Sequence, residues 1–390
     1  MNEVNIIFLI YSQGKASGGH YHSCNQISKE IRKQNKVSII SLGPNASPVF
    51  DGNLAFKEHL FYTKVIDLFK VNYELNEYIK LFKPDIINCF DTESLNIALV
   101  LPALFKHKII LTKCGGPNPK RNRWQFADGL LLFSYENFEW FRNNLVYKNI
   151  PLSLVSNRVS RLEILNSSQS EERKITDRFN FIRISRLGGA YEKTLEDSFR
   201  LIEKLMVKHN VFLYVIGRIQ NENRFENLKK IAERKRLPVK FITDERASTA
   251  SQFLYLGDCV IGTGRSFMEA TSLGIPSLTP AENNDIPILV SKNNFNNFFR
   301  TNFSERNLAD ADSLKNNLKN IENLISDSSY YNKISNDTIN LFHLHFDAGI
   351  VSEKYISFYL KCIESNKFKK IQLIWLNLPY IIRDLFKNLL

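Results

Sequence analysis

Short apolar runs alternate with helical patterns along this chain, and the whole alternation occurs twice. The first series of runs lies at 6–10, 37–42, 85–90, 108–112 and 129–134. After an interruption, a second series lies at 179–184, 211–216, 239–243, 258–261, 277–279 and 286–290. Such runs, separated by amphipathic helical segments, are typical of parallel strands joined by crossover helices. We therefore expect an α/β fold of two doubly wound Rossmann-like domains facing a cleft, with a helical tail at the C-terminus.

The length of the chain also favours two domains, because 390 residues are too many for one ordinary hydrophobic core. A polar stretch from about 158 to 178, which includes Asn166–Arg173, has the composition of a linker. The predicted organisation is an N-terminal domain, a second domain, and a returning helix with its tail, at 1–165, 176–345 and 346–390.

The composition excludes a disordered chain and indicates an anionic partner. Hydrophobic residues make up 44% and charged residues 24%, and the net charge is +12 with a pI near 9.3. Such a balance suits a phosphorylated substrate, an anionic membrane or nucleic acid. The basic loop Lys120–Trp124 could contact an anionic acceptor or a lipid. It lacks the repeated basic and aromatic residues of a nucleic-acid-binding surface, so no nucleic acid is expected.

Cysteine usage and the first residues predict a cytoplasmic protein. The five cysteines are scattered without paired spacing, which favours free thiols over disulfides or zinc ligands. Residues 1–10 lack the basic head and long apolar stretch of a signal peptide, and a first strand explains them better. No apolar run reaches about 18 residues, so no membrane-spanning helix is expected.

The tail at 367–390 has two explanations. Its apolar residues recur on one helical face, namely Ile371, Ile374, Trp375, Leu378, Ile381, Ile382, Leu385 and Leu389. Basic residues flank this face, as in helices that lie on an anionic membrane surface. Packing against the protein as ordinary core explains the same pattern, and a proline at position 379 would kink the helix.

The segment Ile261–Pro276 indicates binding of a diphosphate and a sugar. An apolar strand runs into a glycine turn, and a short helix follows with Arg265 in its first turn and Glu269 one turn later. Bare backbone N–H groups beside an arginine suit a diphosphate, and a carboxylate can accept hydrogen bonds from two sugar hydroxyls. The candidate substrate-binding residues of this turn are Gly262, Thr263, Gly264, Arg265 and Ser266, and Glu269 is a candidate catalytic residue.

A second glycine turn follows the first strand of the same domain. Arg186 and Lys193 bracket this turn just before a helix. Two cations on a diphosphate would neutralise a leaving group without a metal, which makes both candidate catalytic residues. Two solvated basic side chains on a loop are the alternative explanation. Gly217, which follows the next strand, is a further candidate for substrate binding.

The first loop, 14–19, loosely fits a dinucleotide-binding glycine pattern. A nicotinamide cofactor needs an acidic residue at the end of the second strand, and Ser41–Asn45 contains none. A Walker phosphate loop also fails, because Lys15 lacks the upstream glycine and the following Ser or Thr. A plain strand-to-helix turn with a surface or capping histidine is one explanation. The functional candidates are Gly18 and Gly19 for substrate binding and His20 for catalysis.

The order of residues from 185 onwards resembles the nucleotide-sugar-binding half of family-4 glycosyltransferases of the GT-B fold. The matching residues are Ser185, Arg186 and Lys193, then Gly264, Glu269, Ala270, Gly274, Ile275 and Pro276, and the resemblance covers about 179–360. It implies retaining transfer from a nucleoside-diphosphate sugar with no cofactor and no essential metal. Arg186 and Lys193 would then hold the diphosphate and Glu269 the ribose, and the helix near 353–359 would return to the first domain.

The chain departs from that family at two places. The family has a second Glu eight residues before the conserved one, where this chain has Ile261, so the donor sugar is not implied. The family also offers a His in its N-terminal domain, where the strands of this chain end near Asp91, Glu93 and Lys113. Asp91 and Lys113 are therefore candidates for substrate binding, although caps or loop charges explain them equally well.

One further motif resembles a metal site. Asp310-Ala-Asp312 superficially matches the Asp-x-Asp motif of the other major glycosyltransferase fold. A helical pattern follows it directly, so a helix N-terminus explains it better, and no metal is expected.

The sequence thus predicts a hexosyltransferase-type glycosyltransferase that uses a nucleotide-sugar donor and a lipid-linked or oligosaccharide acceptor. Surface polysaccharide synthesis, on the inner face of the cell membrane, is the expected setting. A nucleotide-sugar epimerase, which can share the two-domain plan, is an alternative. The absent second Glu keeps open a non-catalytic sugar-binding partner of a glycosyltransferase complex.

Overall fold

The computed structural model describes residues 3–14, 18–163, 174–365 and 368–387. The chain forms two compact units, which differ from the expected division. Unit 1 comprises Met1–Arg158 together with Ala348–Leu390, and unit 2 comprises Val159–Asp347. The first crossing therefore comes before residue 165, and the C-terminal segment is part of unit 1. Lys15, the predicted linker Asn166–Arg173, Lys367 and Leu389 lie outside the described residues.

Unit 1 contains a seven-stranded parallel sheet in the order β3-β2-β1-β4-β5-β6-β7. Its strands are β1 Asn5–Tyr11, β2 Lys36–Gly43, β3 Phe56–Phe61, β4 Ile86–Cys89, β5 Lys108–Lys113, β6 Gly129–Leu132 and β7 Leu152–Leu154. Its helices are α1 Gly19–Ile31, α2 Asp67–Phe82, α3 Thr92–Val100, α4 Tyr135–Asn143, α11 Val351–Glu364 and α12 Lys370–Lys387.

The unit 1 sheet is covered on both faces, which explains its continuous apolar strands. In β1 the side chains of Ile6–Ile10 are fully buried and point alternately into two apolar clusters. One cluster contains α1 and α11, including the fully buried Tyr355 and Tyr359. The other contains α2, α3 and α12. The C-terminal segment thus supplies a helix to each face of the N-terminal sheet.

Unit 2 contains a six-stranded sheet in the order β10-β9-β8-β11-β12-β13. Its strands are β8 Phe179–Ile184, β9 Val211–Ile216, β10 Val239–Ile242, β11 Cys259–Ile261, β12 Ser277–Thr279 and β13 Ile288–Leu289. Its helices are α5 Glu192–Leu205, α6 Glu222–Arg234, α7 Arg265–Ser272, α8 Phe295–Phe299, α9 Ala311–Ser326 and α10 Ser328–His345. Only β13 departs from the expected parallel sheet, because it pairs antiparallel with β12 at the edge.

The strand order places a topological switch point in each sheet. In unit 1 successive strands are added towards one edge of the sheet from β1 to β3 and towards the other edge from β4 to β7, so the switch point lies between β1 and β4. In unit 2 it lies between β8 and β11. Ligands of doubly wound sheets bind outside the carboxyl ends of the strands at such points. The segments after β8 and β11 carry the residues that the sequence analysis selected, so unit 2 has its candidate site at its switch point.

Candidate functional site

The turn after β11 is a tight backbone reversal that requires glycine. A Cβ atom on Gly262 would lie 2.7 Å from Cα of Phe267, which leaves no room for a side chain. The N–H of Gly262 donates to the carbonyl of Leu278 on β12, at 2.8 Å. Gly262 therefore continues the sheet and brings the start of α7 directly above the end of β11.

Two predicted binding residues in this turn bond to each other. The N–H of Thr263 donates to Oγ of Ser266 at 3.1 Å, and that hydroxyl donates to the carbonyl of Thr263 at 3.0 Å. The expectation of a row of bare N–H groups is therefore wrong for Thr263. Within the described parts of the chain, no group accepts a hydrogen bond from the N–H of Gly264. This N–H remains suited to an anion at the helix N-terminus.

Arg265 and Glu269 form an ion pair along α7. Nε of Arg265 donates to Oε1 of Glu269 at 2.7 Å, and only 14% and 12% of the two side chains are exposed. A cation in the first turn lies at the positive end of the helix dipole, which is unfavourable without a counter-charge. Glu269 supplies part of that counter-charge. The pairing also fixes one carboxylate oxygen, while Oε2 has no hydrogen-bond partner among the described residues.

Arg186 and Lys193 lie after β8, the strand that pairs with β11. Arg186 is exposed, donates to Oη of Tyr191 at 2.8 Å and stacks 4.9 Å from the ring of that tyrosine. Lys193 is 61% exposed, and its Nζ lies 3.9 Å from Oδ2 of Asp197. Both cations are accessible at the carboxyl ends of the strands, where the turn after β11 also lies. Neither is buried in a pair that would remove it from solution.

A fully buried arginine beneath this edge is a feature that the sequence analysis missed. Arg183 on β8 donates to the carbonyl of Ile261 at 3.0 Å and to Oγ1 of Thr194 at 2.9 Å. Its Nε has no hydrogen-bond partner among the residues that the structure describes. Burial lowers its pKa to about 10. An arginine inside a predicted buried strand was the available sequence signal, because charged residues are rarely fully buried without a partner.

Asp197 is the carboxylate that faces this group of cations. It is buried on α5, accepts a hydrogen bond from Arg200, and lies within ion-pair distance of Lys193. Burial raises its pKa, although Lys193 and Arg200 act in the opposite direction. Lys193 and Arg200 thus share one carboxylate, and Arg186 bonds to a neutral tyrosine, which leaves positive charge that favours an anionic ligand.

Gly217 lies at the end of β9, next to the same edge. A Cβ atom at this position would lie 1.6 Å from the carbonyl oxygen of Ser185, so the two backbone segments touch. Its N–H donates to Ile242 on β10 at 3.1 Å. The close approach accounts for the glycine by itself, and a role in substrate binding remains a prediction.

The candidates of unit 1 lie at its own switch point. Asp91 follows β4 and begins α3. Its Oδ1 accepts from the N–H of Ser94 at 2.6 Å, and its Oδ2 accepts from the N–H of Tyr11 at 2.7 Å. Burial is the main cause that raises the pKa of Asp91 to about 7. The carboxylate thus caps a helix and ties together the ends of β1 and β4, which is the capping role left open above.

The other unit 1 candidates surround the same edge. His20 lies in the first turn of α1, close to the ring of Tyr21, with 3.9 Å between ring centres. Burial lowers the pKa of His20 to about 4, so the imidazole is neutral at pH 7. Lys113 donates to the carbonyl of Gly115 at 2.7 Å and lies over the ring of Trp124. Gly18 and Gly19 are exposed where α1 begins.

The two acidic residues at 310 and 312 belong to a helix N-terminus, as predicted. Asp310 caps α9, and its side chain accepts from the N–H of Ser313 at 2.7 Å. In the described ranges, no three His, Cys, Asp or Glu side chains come together as metal ligands would. The five cysteines are free.

The fold is similar to that of several solved structures. Anabaena HepE in complex with UDP and glucose has a TM-score of 0.63 at 12% identity, covering 91% of this chain and 99% of HepE. A glycosyltransferase of Rickettsia africae has a TM-score of 0.66 at 12% identity, covering 94% and 100%. A putative UDP-N-acetylglucosamine 2-epimerase of Listeria monocytogenes has a TM-score of 0.59 at 12% identity, covering 93% and 98%.

Comparisons of the sequence alone add nothing to this result: no family model and no curated protein matches it. At such low identities the structural similarity establishes the fold and not the activity. The chain therefore has the GT-B fold, with two Rossmann-like α/β domains and a C-terminal helical tail.

Proposed function

We propose that this chain is a glycosyltransferase that moves a sugar from a nucleoside-diphosphate sugar to a saccharide or lipid-linked acceptor. One observation carries the proposal. At the switch point of unit 2, the turns after β8 and β11 bring Arg186, Lys193 and Arg265 to one sheet edge, beside the N-terminus of α7. A diphosphate is the ligand whose charge and size suit such a group.

The donor would be held by residues of unit 2. Arg186 and Lys193 are exposed and would bind the diphosphate, with the N–H of Gly264 as a further donor. The free oxygen of Glu269 would accept hydrogen bonds from the ribose hydroxyls. Charge on the departing nucleoside diphosphate would then be stabilised by side chains and backbone, without a metal.

A UDP-sugar is the donor that we propose. HepE binds UDP and glucose, and the present chain shares its fold over nearly its whole length. Transfer with retention, as in family-4 glycosyltransferases, would agree with the spacing of Arg186, Lys193 and Glu269. Unit 1 would bind the acceptor through Gly18 and Gly19 and its basic loop, and synthesis of a surface polysaccharide on the cytoplasmic side of the membrane is the proposed setting.

Calorimetric titration with UDP, UDP-sugars and nicotinamide dinucleotides tests the donor site. We expect UDP to bind, and Arg186→Ala and Lys193→Ala each to weaken its affinity about 10- to 100-fold, the range for a lost charge-assisted hydrogen bond. Arg234→Ala, at an exposed arginine of α6 in the same unit, is the matched control and should bind UDP as the wild type does. Binding of a nicotinamide dinucleotide in place of UDP would contradict the proposal.

The reaction itself is tested by release of UDP from UDP-sugars with and without saccharide or lipid-linked acceptors. Turnover should require an acceptor, and Glu269→Gln should lower it about 100-fold or more. Because this substitution also removes the counter-charge of Arg265, circular dichroism at the assay temperature should confirm that the variant is folded. A protein that binds UDP-sugars and yet shows no turnover with any acceptor would indicate the non-catalytic alternative.

An epimerase is the second candidate, because the Listeria protein named as a putative epimerase has a similar fold. Incubation of UDP-N-acetylglucosamine alone in deuterated water separates the two reactions. An epimerase would change the configuration at the sugar and incorporate deuterium without any acceptor. The transferase that we propose leaves the donor unlabelled under these conditions.

A further inference from the structure

The tail helix α12 is a fixed part of unit 1. Its side chains at Leu373, Asn377 and Ile381 are buried against the protein. The Asn377 amide accepts from the N–H of Phe126 and donates to the carbonyl of the same residue, both at 2.9 Å. Asp384 accepts from Nδ2 of Asn96 on α3 at 2.6 Å. One face of the helix is thus ordinary core, so the packing explanation of the tail is correct for that face.

The outward face of α12 is apolar and exposed. Ile371 is 62% exposed, Trp375 68% and Ile382 46%, and Leu378 is half-buried between them. These residues are spaced by four, three and four positions, so they form one line along the helix. A continuous line of large apolar side chains on a surface generally marks a contact with another apolar phase.

Positive charge lies beside the same helix, on the side of Tyr380. Oη of Tyr380 donates to the carbonyl of Arg123 at 3.2 Å, which places the basic loop beside the helix. In that loop the side chains of Lys120, Arg121 and Arg123 are exposed. The guanidinium of Arg383 lies over the ring of Tyr380 and is paired with Asp384 at 2.7 Å, so the net positive charge comes from the loop. The basic loop and the tail are far apart in the sequence, and the structure brings them together.

We propose that the outward face of α12 and the loop Lys120–Arg123 form one surface that binds an anionic lipid bilayer. We call it the tail surface. The helix would lie in the plane of the interface, with the isoleucines and Trp375 among the upper acyl chains and the arginines at the phosphates. No helix in the described part of the chain is long and apolar enough to span a bilayer, so the contact is peripheral. The proposal does not depend on the transferase activity.

Co-sedimentation with vesicles, without any nucleotide, tests this surface. The wild type should bind vesicles of phosphatidylcholine with phosphatidylglycerol and should bind pure phosphatidylcholine at least about tenfold more weakly. The triple variant Ile371→Ser, Trp375→Ser, Ile382→Ser should lose about tenfold or more in affinity. Arg121→Glu with Arg123→Glu should lose a similar factor at low salt and less at high salt, because salt screens exposed charges.

Matched controls lie beside α1, on the opposite face of the unit 1 sheet. Leu54→Ser replaces an apolar side chain that is 80% exposed, and Lys29→Glu reverses an exposed charge; both should bind vesicles as the wild type does. All substituted side chains are exposed, so circular dichroism should show a folded protein in each case. Equal binding by the triple variant and Leu54→Ser would overturn the proposal. A wild-type dimer in light scattering that is absent only in the triple variant would also overturn the proposal, because the occupant of the surface would then be a second copy of the chain.

Discussion

Single residues explain why the unit 2 edge suits an anion, and Arg183 does so most directly. Its guanidinium is fully buried, and among the described residues no carboxylate lies within ion-pair distance. Its two hydrogen bonds end at Ile261, just before one turn, and at Thr194, just after Lys193. A buried cation without a paired anion is costly, and a diphosphate above it would lower that cost. Arg183 is therefore a positioning residue that supports both turns.

Replacing this arginine should separate phosphate binding from nucleoside binding. We expect Arg183→Met to weaken UDP about tenfold and to leave uridine affinity within about twofold, because only the phosphates respond to the lost charge. The melting temperature without ligand should fall little or rise, since an apolar side chain replaces an uncompensated charge. Calorimetry measures the ratio of the UDP affinity to the uridine affinity. Arg183→Lys should restore part of the UDP affinity that Arg183→Met loses. An equal loss for both ligands would contradict this role.

The pH dependence of unit 1 should contain two opposing contributions. Burial raises the pKa of Asp91 to about 7, so the folded protein binds the extra proton between pH 4 and 7, and this contribution to stability falls as pH rises through that range. Burial lowers the pKa of His20 to about 4, so its contribution is complete above pH 6.5 and is lost as pH falls towards 4. The two contributions partly cancel in the wild type.

The substitution Asp91→Asn should reveal the first contribution. The free energy of unfolding of the wild type, minus that of the variant, should decrease by about 1–3 kcal/mol from pH 4 to 7, as linkage requires. Urea denaturation at several pH values measures this difference. Asp51→Asn, which removes an exposed carboxyl group from the same unit, is the matched control. A constant difference for Asp91→Asn would show that its carboxyl does not titrate in this range.

At the scale of elements, the sequence predicted the interior strands well and missed two edge strands, β3 and β7. The strands at 179–184, 211–216 and 277–279 agree with the structure at both ends. Edge strand β3 was missed, since its polar side chains at Lys57, Glu58 and His59 interrupt the run. The antiparallel pairing of β13 was missed as well, because partner and direction are set by tertiary contacts.

Prediction of the candidate site from the sequence has the same limit, because contacts set by the tertiary fold are not visible in the sequence. Turns with glycine and basic residues are visible in the sequence, and the elements around Arg186 and Glu269 lie where the pattern placed them. The pairing of Arg265 with Glu269 was visible only as a spacing of four on a helix. The contact between Thr263 and Ser266 and the buried Arg183 depend on the fold. The spacing of residues in the sequence therefore predicted which segments form the site. The structure shows which of their atoms already form hydrogen bonds with each other.

The close approach between the ends of β8 and β9 gives a prediction at this scale. Gly217→Ala should destabilise unit 2 by roughly 2–4 kcal/mol, because the added methyl group would overlap the carbonyl of Ser185 and force the two segments apart. Gly52→Ala is the control: its φ is +71° and nothing lies within 4 Å, so only backbone strain of about 1 kcal/mol is expected. Urea denaturation compares them. Equal effects would mean that the backbone at Gly217 relaxes without cost.

At the scale of the whole molecule, the chain crosses between the units twice. It leaves unit 1 after Arg158 and returns at Ala348, so unit 1 is built from both ends of the chain and unit 2 from one continuous stretch. Each unit has its own apolar clusters on the two faces of its sheet. Tyr355 and Tyr359 of α11 are fully buried in unit 1. The C-terminal segment is therefore structural for the N-terminal sheet, in addition to the tail surface that it exposes.

Separate cores predict that a donor nucleotide stabilises the units unequally. At a UDP concentration about 100 times its dissociation constant, the ligand adds about 2.7 kcal/mol to the unit that binds it. Hydrogen exchange of core amides in β8 and β9 should then slow by up to about 100-fold, whereas exchange in β1 and β4 should change by less than about threefold. Arg186→Ala at the same UDP concentration should show little protection in either unit. Equal protection of β1 and β8 in the wild type would mean that the two cores unfold as one cooperative body, because a ligand of unit 2 can protect unit 1 only if both open together.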